Sequence, residues 1–140
     1  MEIVYTKVTP DVVRKNIKVY KKVKKAFVKW CAYKGLLTSV LSPQELRAAT
    51  YRGVLPSYLN IHHIVPLSSS ADSEYLNSFT NLAILHKNVH KYINKNIFQP
   101  QLAPITNAPY GSQIKINIPV FQRVDEENIQ ICKKVLDKLI

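Results

Sequence analysis

Ile61-His62-His63-Ile64-Val65-Pro66-Leu67, then Asn81-Leu82-Ala83-Ile84-Leu85, then His86 and His90, is the stretch on which the reading of this chain turns. All four histidines fall inside it. The apolar segment Tyr58 to Leu67 carries the adjacent pair, Ser68 to Ser78 is small and polar and reads as a loop, and Phe79 to Leu85 reads as a short strand. His86 to Ile97 reads as a helix. Side chains alternate along a strand, so His62 and His63 point to opposite faces unless the strand twists or ends there. His86 and His90, four apart, share one face of a helix. A helix packed on the two strands would bring His90 towards an ion held by His62. The unit then offers a ligand from a strand, a ligand from a helix and a spare imidazole as base, the parts that metal-assisted hydrolysis needs.

Outward from this unit the chain is mainly helical. Residues 11 to 34 read as one long helix, entered after Pro10 and left at Gly35, with Val13, Ile17, Tyr20, Phe27 and Cys31 on its apolar face. Lys15, Lys18, Lys22, Lys25 and Lys29 form a stripe on the other side, either a solvated face or a phosphate-tracking surface. Ser42-Pro43-Gln44-Glu45 has the form of a capping box with proline at the first helical position, and its helix ends near Gly53. Four breakers between 98 and 113, Pro100, Pro104, Pro109 and Gly111, predict an irregular excursion. Ile114, Ile116, Ile118 and Val120 alternate as in an edge strand interrupted by Pro119. A last helix from Asp125 would bury Ile129, Cys132, Leu136 and Leu139. The expected architecture is a single α+β domain over residues 1–140, with the C-terminal strand and helix at 114–140.

Charge narrows the partners. Twenty Lys+Arg against nine Asp+Glu give +11 and favour a polyanion. No apolar run approaches the ~20 residues that span a bilayer, so no membrane partner is expected. Met1-Glu2-Ile3-Val4-Tyr5 lacks the basic-then-apolar pattern of a secretory signal, which predicts a chain that is cytoplasmic as made. Cys31 and Cys132 form no C-x-x-C pair, so they suggest neither a zinc knuckle nor a disulfide framework.

The order His62-His63, Pro66, Asn81-Leu82-x-x-Leu85 and His90, nine residues beyond Asn81, resembles the HNH endonucleases, among them the colicin-type bacteriocin nucleases. The resemblance covers residues 58–97. It implies the ββα-metal (His-Me finger) fold embedded in the helical surroundings. It implies His62, His90 and Asn94 as metal ligands, His63 as general base, and Asn81 as the residue that aims His63. One divalent ion is implied, Mg²⁺ for preference, with Mn²⁺, Ni²⁺ or Zn²⁺ as substitutes. The cysteine pairs that often bind structural zinc around this motif are missing, and Ser68-Ser69-Ser70-Ala71-Asp72 stands where Gly-Gly is common. His86 stays open between a residue behind the ligands, a phosphate contact and a plain surface side chain.

The function expected from this resemblance is metal-dependent hydrolysis of nucleic acid phosphodiesters, DNA first, with Lys87, Lys91, Lys95 and Arg52 on the backbone phosphates. The alternatives are a non-catalytic basic nucleic-acid-binding module, or a toxin delivered into another cell and held in check by an acidic immunity protein.

Overall fold

Residues 1–130 are described by the computed structural model. The chain enters as strand β1 (Glu2–Thr6) and turns at Pro10 into α1 (Pro10–Tyr33), where proline costs nothing because the first helical N–H has no partner. α2 (Pro43–Arg52) is closed at both ends as its sequence predicts. The Ser42 side chain accepts from the Glu45 N–H while the Glu45 carboxylate accepts from the Ser42 N–H, and Gly53 takes the left-handed conformation at φ +62°. A cap of this kind contributes about 1 kcal/mol. Gly53 also lies tight on α1: a Cβ there would meet the Lys25 carbonyl oxygen at 2.7 Å.

β2 (Leu59–His63) runs into a connection that contains a short helix, α3 (Ser73–Leu76), and a 3-10 turn at Phe79–Asn81. β3 (Leu82–His86) returns antiparallel to β2, with His62 opposite Ala83 and His63 opposite Leu82. α4 (Lys87–Tyr92) starts directly from the end of β3, widens into a π segment at Ile93–Phe98, and continues as α5 (Gln99–Leu102). The pitch changes just ahead of Pro100, which has no N–H to continue an α ladder. β4 (Gln113–Asn117) then pairs antiparallel with β1. The described residues therefore form an α+β structure with two small antiparallel sheets.

β3 positions everything else. It is buried from end to end. Ala83 and Leu85 face a core of Tyr5, Ile64, Leu76, Ile93, Phe98 and Ile116, while Leu82 and Ile84 face a core of Phe27, Val28, Cys31, Leu37, Leu41 and Ile129. A strand buried on both faces cannot shift register without moving one apolar set into the wrong layer. The bond from the Ile84 N–H to the Arg123 carbonyl occupies its outer edge.

Several expectations need correction. The N-terminal strand was not foreseen; five residues whose partner lies more than a hundred positions away give no local signal. The polar loop contains α3, because Leu76 finds a fully buried seat. The second strand starts at Leu82, after a 3-10 turn, instead of at Phe79, and β4 stops at Asn117, before Pro119. His86 ends β3 and caps α4 by accepting from the Asn88 N–H, so it does not share a helical face with His90. It is also no surface residue, being fully buried. Helical backbone begins again at Glu126, with the Asn128 N–H bonded to Asp125, and Ile129 is buried as expected. The rest of the expected helix, with Cys132, Leu136 and Leu139, falls outside the described residues.

Candidate active site

β2 ends at His63, and that ending lets two oppositely directed histidines open into one cavity. Its volume is about 350 Å³, and its walls include Tyr20, His62, His63, His90, Asn94 and Phe98. His62 is 1% exposed. Its ring stacks on Phe98, with centroids 6.2 Å apart, and meets the edges of Phe121 at 5.9 Å and His90 at 5.2 Å. Its Nε2 is buried without a hydrogen-bond partner. Leaving such a nitrogen bare costs about 1–3 kcal/mol, so it marks a position where a ligand is expected. Burial pushes the His62 pKa down to about 3, helped by the nearby His90 and His63, so the ring is neutral, the state in which an imidazole can offer a nitrogen lone pair to an ion.

His63 looks the other way, onto α1. Its ring meets Tyr20 edge-on at 4.8 Å, and its Nε2 lies 3.0 Å from Asn77 Oδ1. Asn77 is 3% exposed, and its amide nitrogen donates to the carbonyls of Asn16 and Ser73. With the amide orientation set by those two bonds, its oxygen can only accept, so Nε2 of His63 carries the proton and Nδ1 holds the lone pair. Burial lowers the His63 pKa, the Asn77 bond raises it in part, and His90 lowers it further. The net shift is downward, so His63 is neutral at pH 7.

Asn81 fastens the loop behind the pair. Its Oδ1 accepts from the Val65 N–H, and its Nδ2 donates to the carbonyls of Val65 and Leu76. Asn16 on α1 donates to the Leu67 carbonyl, tying the long helix to the same loop.

His90 comes from α4 and is half-buried, with Nδ1 3.3 Å from the Asn60 amide nitrogen. Burial lowers its pKa as well. Asn94 is exposed in the π segment and lines the same cavity. Among the described residues no three histidine, cysteine or carboxylate side chains are gathered as for a closed metal site. Two imidazoles and a carboxamide oxygen nevertheless fit a divalent ion that keeps positions open for substrate, and the bare Nε2 of His62 is the observation that favours one.

The expected phosphate contacts divide. Lys87, Lys91 and Lys95 are exposed and line a neighbouring cavity of about 380 Å³ that shares His90 and Asn94 with the first. Arg52 is exposed in the last turn of α2 and lines none of the cavities around His90. Lys15, Lys18, Lys22 and Lys29 are exposed but line none of them either; Lys25 does, together with Lys24 from outside the stripe. The largest described cavity, about 580 Å³, is elsewhere, and Asp125, Glu126 and Glu127 on its wall would repel a polyanion.

Asn77, Asn16, Tyr20 and Asn60 were not picked out as site residues from sequence. A polar residue inside the small, polar stretch from Ser68 to Ser78 looks like loop; only the fold brings Asn77 to His63. His86 sits apart from the site, beside the Tyr58 ring at 6.1 Å, with its own Nε2 unpartnered. Comparison with protein-family models, with curated proteins and with solved structures returns no match.

Proposed function

We propose that this chain is a nuclease of the HNH, ββα-metal kind that hydrolyses phosphodiester bonds of nucleic acid. The observation that carries the reading is the pairing of two differently held histidines in one cavity: His62 with a bare, buried Nε2, and His63 with Nε2 tied to Asn77. In the proposed arrangement β2, β3 and α4 are the ββα unit, and His62, His90 and Asn94 hold the ion. Bound there, a divalent ion supplies positive charge to a phosphate oxygen and to the departing oxygen.

His63 Nδ1 accepts a proton from the attacking water as the new P–O bond forms and the opposite P–O bond breaks. The Nε2–H bond to Asn77 Oδ1 keeps the ring in place as it becomes the imidazolium, and Tyr20 limits its rotation. A base positioned in this way contributes roughly 10²–10⁴-fold. Asn81 keeps the 64–76 connection seated, so the base does not drift. Lys87, Lys91 and Lys95 hold the polyanion without reading its sequence.

The test is cleavage of plasmid DNA and of RNA by the purified protein with Mg²⁺, Mn²⁺, Ni²⁺ or Zn²⁺, alongside His63→Ala and a chelator control. Cleavage that both the chelator and His63→Ala abolish is expected. A folded protein that cuts neither substrate with any of these ions, or cuts equally well in excess chelator, overturns the proposal.

A further inference from the structure

A cleft of about 480 Å³ opens beside the catalytic cavity, between α1 and the segment from Gly53 to Ile61. Tyr20, Ile61 and His90 line both, so the two are continuous. On the far side of His90 stand Lys87, Lys91 and Lys95. The floor of the cleft is apolar, formed by Val28, Leu55, Pro56 and Ile61, and its α1 rim carries Lys24 and Lys25. Gly53 sets its width: the left-handed backbone there lets the segment touch the Lys25 carbonyl, an approach that any side chain would block.

This combination selects its occupant. A track for phosphates alone needs cations and water, and gains nothing from an apolar floor. A stacked duplex keeps its base faces inside. An unpaired nucleobase has apolar faces to bury and a phosphate one bond system away to meet the lysines, as in proteins that seat single strands.

We propose that the cleft is a subsite for an unpaired nucleobase next to the scissile phosphate, with Lys24 and Lys25 on the adjoining phosphates, which makes single-stranded nucleic acid the preferred substrate class. This rests on the nuclease reading above. Sugar chemistry does not enter the argument, so DNA and RNA are two sources of the same ligand.

The experiment uses the full chain with His63→Ala, so that nothing is cut. Binding of a labelled DNA strand, the RNA strand of the same sequence and the DNA duplex is measured by anisotropy across a salt series. Single strands are expected to bind at least tenfold tighter than the duplex. Lys24→Gln with Lys25→Gln should reduce the slope of log affinity against log salt on the DNA strand by about 1.4, while Lys18→Gln with Lys22→Gln leaves it unchanged. Val54→Asp, an exposed change on the cleft wall, should weaken single-strand binding about tenfold and spare the duplex. All these positions are exposed, and unchanged thermal unfolding confirms that the variants fold. Duplex bound as tightly as single strand, or single-strand binding indifferent to both the lysine pair and Val54→Asp, overturns the subsite while leaving a nuclease standing. Binding of no nucleic acid at all overturns the nuclease reading itself. The DNA and RNA strands compared with each other show which sugar the site prefers.

Discussion

Nε2 of His63 lies 3.0 Å from Oδ1 of Asn77, and both groups are buried. The bond decides which nitrogen is free: Asn77 can only accept there, so Nδ1 of His63 holds the lone pair. Asn77→Ala should therefore lower kcat about 10–100-fold while KM and metal affinity change little. Part of the cost appears as stability, because the carbonyls of Asn16 and Ser73 each lose the side-chain donor, at about 0.5–1.5 kcal/mol each, while Ser73 keeps the backbone N–H of residue 77. Nitrogen chemical shifts of His63, which separate the two neutral tautomers, check the origin of the effect. A ring still protonated on Nε2 and a kcat near wild type would remove Asn77 from this role.

Metal and base functions should separate by mutation. His62→Ala and His90→Ala are expected to lower divalent-ion affinity at least tenfold, since a site with so few protein donors loses much with either imidazole. His63→Ala should bind the ion nearly as wild type does and yet not cut. Calorimetric titration and plasmid cleavage on the same three proteins are the measurements. Unimpaired ion binding by both His62→Ala and His90→Ala would place the ion elsewhere.

The hairpin and its following helix were legible because each is a local pattern, whereas the spacings from His63 to Asn81 and from Asn81 to His90 carry only the proposed resemblance. α1 and α2 were legible from periodicity and caps. What escaped depends on distant pairing. β1 gains meaning only from Ile116 opposite Ile3, and the roles of Asn16, Tyr20 and Asn77 arise because α1 crosses the 64–77 connection. His86 was misread because spacing four from His90 suggests a shared helix face, whereas the helix begins one residue after it. Of the lysine stripe, Lys25 lines the cleft beside His90, together with Lys24, a lysine that the spacing does not single out.

Acid should destabilise the ion-free protein through His62. Its folded pKa of about 3 lies below the ordinary histidine value, so the unfolded chain binds the proton first as pH falls. The resulting stability is fully present above about pH 6.5 and is lost as pH falls from there towards about 3, on the order of 5 kcal/mol for complete protonation. His63 and His90, also shifted downward by burial, add loss in the same direction. Denaturant titrations of wild type and His62→Gln at pH 7.5 and about pH 4.5 read the effect. The variant should show the smaller drop; equal drops would mean that His62 does not carry it.

Asn81 should behave differently from Asn77, although both are buried asparagines on the same connection. It makes three hydrogen bonds to backbone, to the Val65 N–H and to the Val65 and Leu76 carbonyls, and none to a histidine. Asn81→Ala strands all three partners, at about 1–3 kcal/mol each before relaxation, so a stability loss of about 3–5 kcal/mol is expected. Asn81→Asp keeps the acceptor for Val65 N–H but loses both donations, and sets a carboxylate against two carbonyl oxygens, so it should rescue little. Activity falls in either variant because the 64–76 connection no longer holds Leu76 and Asn77 in place. Its signature is a lower unfolding midpoint together with faster amide exchange at Ile64 and Val65. Asn77→Ala, by contrast, should leave those amides protected. Wild-type protection at Ile64 and Val65 in Asn81→Ala would show that the Ile64 N–H bond to the Asn81 carbonyl, which needs no side chain, is enough to seat the loop.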